Sequence, residues 1–232
     1  MIFIVNKSET KKTKTEEKSK IKAVFFDFWG TIVENGVFPS PVRQVHRMLR
    51  IPMSFSEYIE KFEHSFMTTK FENLTEAFHS VTKEFNVNPP AFVYDNLIGM
   101  WNKNTFLSKP FSDTISTLAD LKKDYKLVLI SNTDNLSVPQ LLDKFDLRKY
   151  FDEVILSCDV GILKTDKKIF LDATKKLKLK KTEVVMIGDS IPTDIEGAKN
   201  AGIRGILVDR KDKRESEDKI ISLSEIRSKI EG

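Results

Sequence analysis

Four polar clusters each follow an apolar run, and their side chains suit a single chemistry. Asp27 ends IKAVFFD, Ser131-Asn132-Thr133 ends YKLVLI and runs beyond it, Lys164 lies in VGILKTD, and Asp189 follows VVMIG with Asp194 five residues later. A carboxylate can serve as a nucleophile. A lysine supplies a compact positive charge, and a hydroxyl and turn amides supply donors to an anion. Carboxylates gathered at one locus repel one another unless a cation holds them, and an all-oxygen donor set favours Mg²⁺. Phosphoryl transfer needs this combination: an in-line nucleophile, a cation to neutralise oxygens, and preorganised donors for the remaining charge. Taken singly, each residue only satisfies a turn. Taken jointly, they describe a site for an anion and a divalent cation.

The elements that must position them are legible from periodicity. Five short segments, 21–27, 125–131, 153–157, 183–189 and 204–209, are rich in Val, Ile, Leu and Phe without polar alternation. Strands buried on both faces of a parallel sheet read this way. Helix-length segments at 136–147, 166–178 and 192–201 separate the later four, the last stopped by Gly202 at a position that favours glycine. Alternating strand and helix predicts an open α/β sheet. In such a sheet ligands bind beyond the carboxyl ends of the strands, which is where the four clusters fall. A short strand at 220–221 and a final helix complete the core, with Ser222 and Glu225 at capping-box spacing.

Nearly a hundred residues separate the first two strands, far more than a crossover requires. Ser54 with Glu57, Asn73 with Glu76, and Pro89-Pro90 mark helix starts. The expectation is helices near 41–50, 54–71, 74–86 and 90–103, forming a helical cap (34–110) inserted into an α/β core (21–33 and 111–232), with residues 1–20 as a flexible tail. The aromatic stripe Phe55, Phe62 and Phe66 reads as the cap's own core. His46, His64 and His79 fit no local metal-ligand spacing, and Arg43 and Arg47 read as surface residues.

Charge excludes little by itself. The net charge is +4, but residues 6–20 hold six Lys against three Glu, and the other 32 basic and 31 acidic residues nearly cancel. The basic surplus reads as a solvated tail rather than a nucleic-acid surface. A single cysteine, Cys158, permits no intramolecular disulfide and suits a reducing compartment. MIFIV is too short for a signal peptide, and no apolar stretch approaches a membrane span. A cytoplasmic protein with no membrane or nucleic-acid partner is expected.

FFDFWGTI, LVLISNT, VGILKTDKKIF and VVMIGDSIPTDIEGAKNAG resemble, in order, the four motifs of the haloacid dehalogenase (HAD) superfamily. The resemblance spans about residues 21–230. It implies a Rossmann-type three-layer parallel sheet under a helical cap, and Mg²⁺-dependent hydrolysis of a small phosphorylated substrate. Carried residue by residue, it makes Asp27 the nucleophile, which forms an aspartyl phosphate and also ligates Mg²⁺. It makes the Trp29 backbone carbonyl and Asp189 further ligands, with Asp194 as a ligand or its immediate support. Ser131 and the Asn132 amide would hold phosphoryl oxygens, Lys164 would stabilise charge on Asp27 and the phosphoryl group, and Gly30 would turn the chain away from the nucleophile.

Trp29 departs from the pattern. Phosphatases of the family carry Asp there, to protonate the leaving alcohol and then activate water, and indole can do neither. General acid-base assistance is worth about 10²- to 10⁴-fold in rate. Three outcomes follow: a phosphatase that is slow, prefers substrates whose leaving group needs no proton, or borrows an acid from the cap or substrate; a 2-haloacid dehalogenase; or a non-hydrolytic phosphate-binding protein. The acidic pair in the fourth motif favours the first, because the resemblance implies that dehalogenases lack that metal-binding pattern.

Overall fold

The computed structural model describes residues 20–232. The expected N-terminal tail falls, but for Lys20, outside the described residues. In chain order the elements are β1 (Ala23–Phe26), β2 (Val33–Glu34), α1 (Pro41–Met48), α2 (Phe55–Met67), α3 (Leu74–Glu84), α4 (Ala91–Leu107), β3 (Lys109–Pro110), α5 (Thr114–Leu121) and β4 (Lys126–Ser131). There follow α6 (Val138–Lys144), β5 (Glu153–Leu156), α7 (Ser157–Val160), α8 (Lys168–Lys176), β6 (Val184–Gly188), α9 (Glu196–Asn200), β7 (Arg204–Val208), β8 (Lys219–Ile220) and α10 (Ile226–Glu231).

Six strands form one parallel sheet in the order β5-β4-β1-β6-β7-β8. Successive residues of each inner strand point to opposite faces, so both faces must be apolar. Val24 and Phe26 of β1, Leu127 and Leu129 of β4, and Val185 and Ile187 of β6 pack with Leu118 of α5, Leu141 of α6 and Ile226 of α10. Their neighbours Ala23 and Phe25, Val128 and Ile130, and Val184 and Met186 pack with Ile169 and Phe170 of α8 and Ala198 of α9. Helix, sheet and helix make the open α/β sheet expected from the five unalternating apolar runs, in the three layers that the resemblance implies.

From β1 the chain moves outward through β4 to β5, then crosses back to β6 on the other side of β1. The crevice for a ligand lies where the connections diverge, at the carboxyl ends of β1, β4 and β6.

Between β1 and β4, α1 to α4 enclose a separate apolar cluster with Tyr58, Phe62, Phe66, Phe78, Leu97 and Trp101 at its centre, all buried. The stripe Phe55, Tyr58, Phe62, Phe66 occupies one face of α2 because residues three and four apart share a helix face. Ser54 caps α2 with the expected reciprocal bonds to Glu57. Asn73 accepts from the Glu76 amide at 3.0 Å, while Glu76 itself reaches the Glu72 amide at 3.1 Å, so this cap is only half a box. The two-residue antiparallel pair of β2 with β3 ties the start and end of the helical segment together.

The helical unit is fastened to the sheet by side chains. Asn135 exchanges two 2.9 Å bonds with the Phe71 backbone. Trp101 Nε1 donates to Ser137 Oγ at 3.0 Å, and Ser157 Oγ donates to the Met67 carbonyl at 2.5 Å. Among the described residues no helix is long and apolar enough to cross a membrane.

Candidate active site

Asp27 is the first residue beyond β1, its amide still donating to the Ile187 carbonyl of β6 at 2.9 Å. That bond continues the ladder and aims the carboxylate out of the sheet's carboxyl edge. The chain then turns sharply through Gly30 at φ +75, a region costly for residues with a Cβ. A Cβ on Gly30 would lie 2.4 Å from Asp189 Oδ2, so the glycine also makes room for that carboxylate. Thr31 Oγ1 donates to Asp27 Oδ2 at 3.2 Å.

On the far side of β1, Asp189 follows β6. The segment Ile191–Ile195 winds as a single wide turn with Pro192 at its start, where the sequence predicts ordinary helix, and regular α-helix begins only at Glu196. The wide turn carries Asp194 inward. The side chain is buried beneath Gly188, where a Cβ would come within 2.2 Å of Asp194 Oδ2, and it accepts from the Ser190 amide at 2.9 Å.

Lys164 joins the two halves. Its Nζ lies 2.5 Å from Asp27 Oδ1 and 2.6 Å from Asp194 Oδ1, and the side chain is 2% exposed. Burial alone would lower its pKa, but the two carboxylates push it above the ordinary lysine value and keep it charged. Asp27 is pushed up to about 6, first by burial, with Asp194 adding to the rise and Lys164 opposing it. Asp189 is pushed up to about 8 by burial and then by the nearby Asp27 and Asp194. Carboxylate oxygens of Asp27, Asp189 and Asp194 lie within 4.8 Å of one another. One lysine cannot neutralise three carboxylates, and an oxygen donor set with surplus negative charge fits a hard divalent cation.

At the end of β4, Ser131 Oγ is buried and has no hydrogen-bond partner among the described residues. An orphaned buried hydroxyl costs about 1–3 kcal/mol, a cost that an incoming anionic oxygen would remove. Asn132 Oδ1 accepts from the Lys164 backbone amide at 2.9 Å, and Nδ2 donates to Glu63 of α2 at 2.7 Å. All the side chains expected from sequence at these strand ends, Asp27, Ser131, Asn132, Lys164, Asp189 and Asp194, thus gather at one edge of the sheet.

The Trp29 indole turns along the strand ends. It packs edge-on against Phe28 at 5.1 Å between centroids and makes a long 3.5 Å contact from Nε1 to Thr133 Oγ1.

Sequence reasoning missed Thr31, Arg214 and Glu63. Thr31, four residues after Asp27, was findable from that spacing. Arg214 donates to the backbone carbonyls of Asp189 and Val208, fixing the end of β6 from a loop whose path no local pattern reveals. Glu63 gave no signal, since a glutamate beside an apolar stripe is ordinary. The remaining candidates resolve as expected: Arg43 and Arg47 are exposed, with Arg43 stacked 3.8 Å over Phe55. His46 lies 3.1 Å from the Met53 carbonyl and His79 packs tilted against Tyr94 at 4.4 Å between centroids; the acidic cluster is Asp27, Asp189 and Asp194. Buried Cys158 has its thiol pushed up to about 12, chiefly by burial, and is unreactive.

A sequence profile described as haloacid dehalogenase-like hydrolase matches residues 21–202. The chain belongs to this family. It is therefore a hydrolase, and the matched segment contains all four strand-end clusters. The glyceraldehyde 3-phosphate phosphatase of Methanothermobacter thermautotrophicus is 33% identical over 193 residues, covering 81% of this chain and 85% of that protein. A HAD phosphatase from Thermococcus onnurineus superposes with a TM-score of 0.61 at 25% identity, over 90% of this chain and 97% of that one. A 2-haloacid dehalogenase from Pseudomonas syringae pv. Tomato reaches the same TM-score at 22% identity, over 91% and 98% of the two chains. That last likeness concerns the fold alone, so the backbone does not separate phosphatase from dehalogenase, and the side chains must.

Proposed function

We propose that this hydrolase is a Mg²⁺-dependent phosphatase of small phosphomonoesters, working through an aspartyl phosphate on Asp27, with residues 34–110 as the cap over its site. The observation that carries the reading is the trio of carboxylates around Lys164 beside the unpartnered Ser131 hydroxyl. A dehalogenase attacking carbon has no use for three clustered carboxylates, whereas phosphoryl chemistry has. The relative that is 33% identical is named for glyceraldehyde 3-phosphate, which makes a three-carbon phosphate the first substrate to try.

Asp27, Asp189, Asp194 and the Trp29 carbonyl would hold Mg²⁺, which, when bound, supplies charge neutralisation for the carboxylates and the phosphoryl oxygens. Lys164, itself held by Asp194, aims the Asp27 carboxylate, whose Oδ2 also takes the Thr31 bond. Ser131 Oγ and the Asn132 amide receive phosphoryl oxygens, and Lys164 balances the charge that accumulates as Asp27 attacks phosphorus. The leaving group departs in line, away from Asp27 and toward the helical unit.

The test is a panel holding glyceraldehyde 3-phosphate, an aryl phosphate and a 2-haloacid, assayed with Mg²⁺ and with chelator. Phosphate release that requires Mg²⁺ and falls about 10³-fold or more in Asp27→Asn is expected. Halide release without metal, or activity indifferent to Asp27→Asn, would sink the reading.

A further inference from the structure

The phosphatase chemistry proposed above lacks a proton. Trp29 stands where an acid is expected from the resemblance, and its indole is turned to Thr133. Phosphate monoesters with alkoxide leaving groups need a donor on the side away from Asp27, the side covered by α1 to α4.

Among the described residues, Glu63 is the side chain of α1 to α4 that bonds to Ser131 or Asn132. It sits one residue beyond Phe62 on the helix face that closes over the strand ends, half-buried. Its Oε2 accepts from Asn132 Nδ2 at 2.7 Å, and Asn132 is fixed from the other side by the Lys164 amide at 2.9 Å. Among the described residues, the side-chain hydrogen bond of Glu63 is this one through Oε2, which leaves Oε1 to face the site. The groups facing it are Asn132 at the end of β4, Lys164 before α8, Asp194 on the wide turn and Asp27 after β1.

We propose that Glu63 is the general acid and then the general base of the reaction, taking the part that Trp29 cannot play. In the first step Asp27 Oδ bonds to phosphorus, the phosphorus–oxygen bond to the leaving group breaks, and the Glu63 proton passes to the departing oxygen. In the second step Glu63 takes a proton from water as the water oxygen bonds to phosphorus. The bond between phosphorus and Asp27 then breaks, releasing inorganic phosphate and returning Glu63 to its protonated form. Protons and electron pairs balance with water as the only co-reactant. The carboxyl is suited to both roles, because burial pushes it up to about 7, with Asp194 and Asp27 adding to the rise while Asn132 and Lys164 oppose it.

The inference rests on the phosphatase reading, and Glu63→Gln separates the two, since glutamine keeps the shape and a hydrogen bond to Asn132. With glyceraldehyde 3-phosphate, kcat should fall about 10²- to 10⁴-fold. With an aryl phosphate, whose leaving group needs no proton, the first-turnover burst of phenol should persist. Its steady-state rate should fall, and phosphorylated Asp27 should accumulate, visible by mass spectrometry after acid quench. Adding Trp29→Asp to Glu63→Gln should restore much of the alkyl phosphate turnover. Glu63→Gln within about twofold of the parent on glyceraldehyde 3-phosphate would overturn the role of Glu63 while leaving the phosphatase reading intact. So would equal loss of burst and turnover, the mark of a merely structural residue. No phosphate release by the parent from any substrate would overturn the phosphatase reading itself, and this inference with it.

Discussion

Lys164→Met replaces the buried cation that, among the described residues, bridges Asp27 and Asp194 with a side chain of similar length and no charge. Lys164 lies 2.5 Å from Asp27 and 2.6 Å from Asp194. At an effective dielectric of about 20, each contact is worth about 6 kcal/mol of Coulomb energy, much of it offset by stripping water from three ions. Removing the cation alone leaves two buried carboxylates uncompensated, which costs about 3–5 kcal/mol. With a urea slope of about 2–3 kcal/mol per molar for a chain of this size, the unfolding midpoint should drop by about 1–2.5 M. The loss should depend on pH. Asp27 is already pushed up to about 6 with Lys164 present, and without that opposing charge it rises further. A carboxyl whose folded pKa exceeds its unfolded one loses stability as pH climbs from the unfolded value through the folded one. The variant should therefore be penalised more at pH 8 than at pH 5, where protonation removes the repulsion, and Mg²⁺ should recover part of the loss at pH 8. Urea titrations followed by circular dichroism, at both pH values and with and without Mg²⁺, read this directly. An equal loss under all four conditions would refute the electrostatic argument and leave only altered packing.

Binding of Mg²⁺ should expel protons from Asp189, pushed up to about 8, and from Asp27, pushed up to about 6, so apparent affinity rises between about pH 6 and 8. Calorimetric titrations across that range check it, and a flat profile would contradict the crowded trio. Gly30→Ala should cost about 1–3 kcal/mol, because residue 30 sits at φ +75 and the new methyl would lie 2.4 Å from Asp189 Oδ2. It should also weaken Mg²⁺ binding by displacing Asp189, and parental affinity in that variant would show that Asp189 has room to spare.

The sheet was legible because its inner strands are buried on both faces, which leaves a continuous apolar run that no surface element imitates. The site was legible for a related reason: a polar residue ending such a run has few places to point except beyond the carboxyl edge, where the runs converge. Helix α5 was not legible. Its sequence TISTLADL opens on β-branched and hydroxyl residues and has no side-chain N-cap bond. It is helical because Leu118 and Leu121 pack on the sheet while Arg210 and Ser222 hold Asp113 at its start. The wide turn at Ile191–Ile195 was equally hidden, since the need to bury Asp194 under Gly188 is a tertiary demand that overrides helix propensity. Strands β2 and β3 span two residues each and pair across more than seventy, so neither carries a pattern of its own.

Glu63 was hidden for the deepest reason. Whether a residue flanking an apolar stripe faces solvent or a neighbouring element depends on how the whole helix is seated, and α2 is seated by Trp101, Asn135 and Ser157 contacts elsewhere. That placement has a mechanistic consequence. An acid two residues from the nucleophile is in place whether or not the site is covered. An acid on α2 is in place only while α2 rests against the strand ends, so proton transfer becomes conditional on a covered site. In such an enzyme, loosening the Trp101 to Ser137 bond, which touches none of the reacting groups, should slow alkyl phosphate turnover while sparing the aryl burst. The proton would be mispositioned, whereas the nucleophile, held by Lys164 and the sheet, would not.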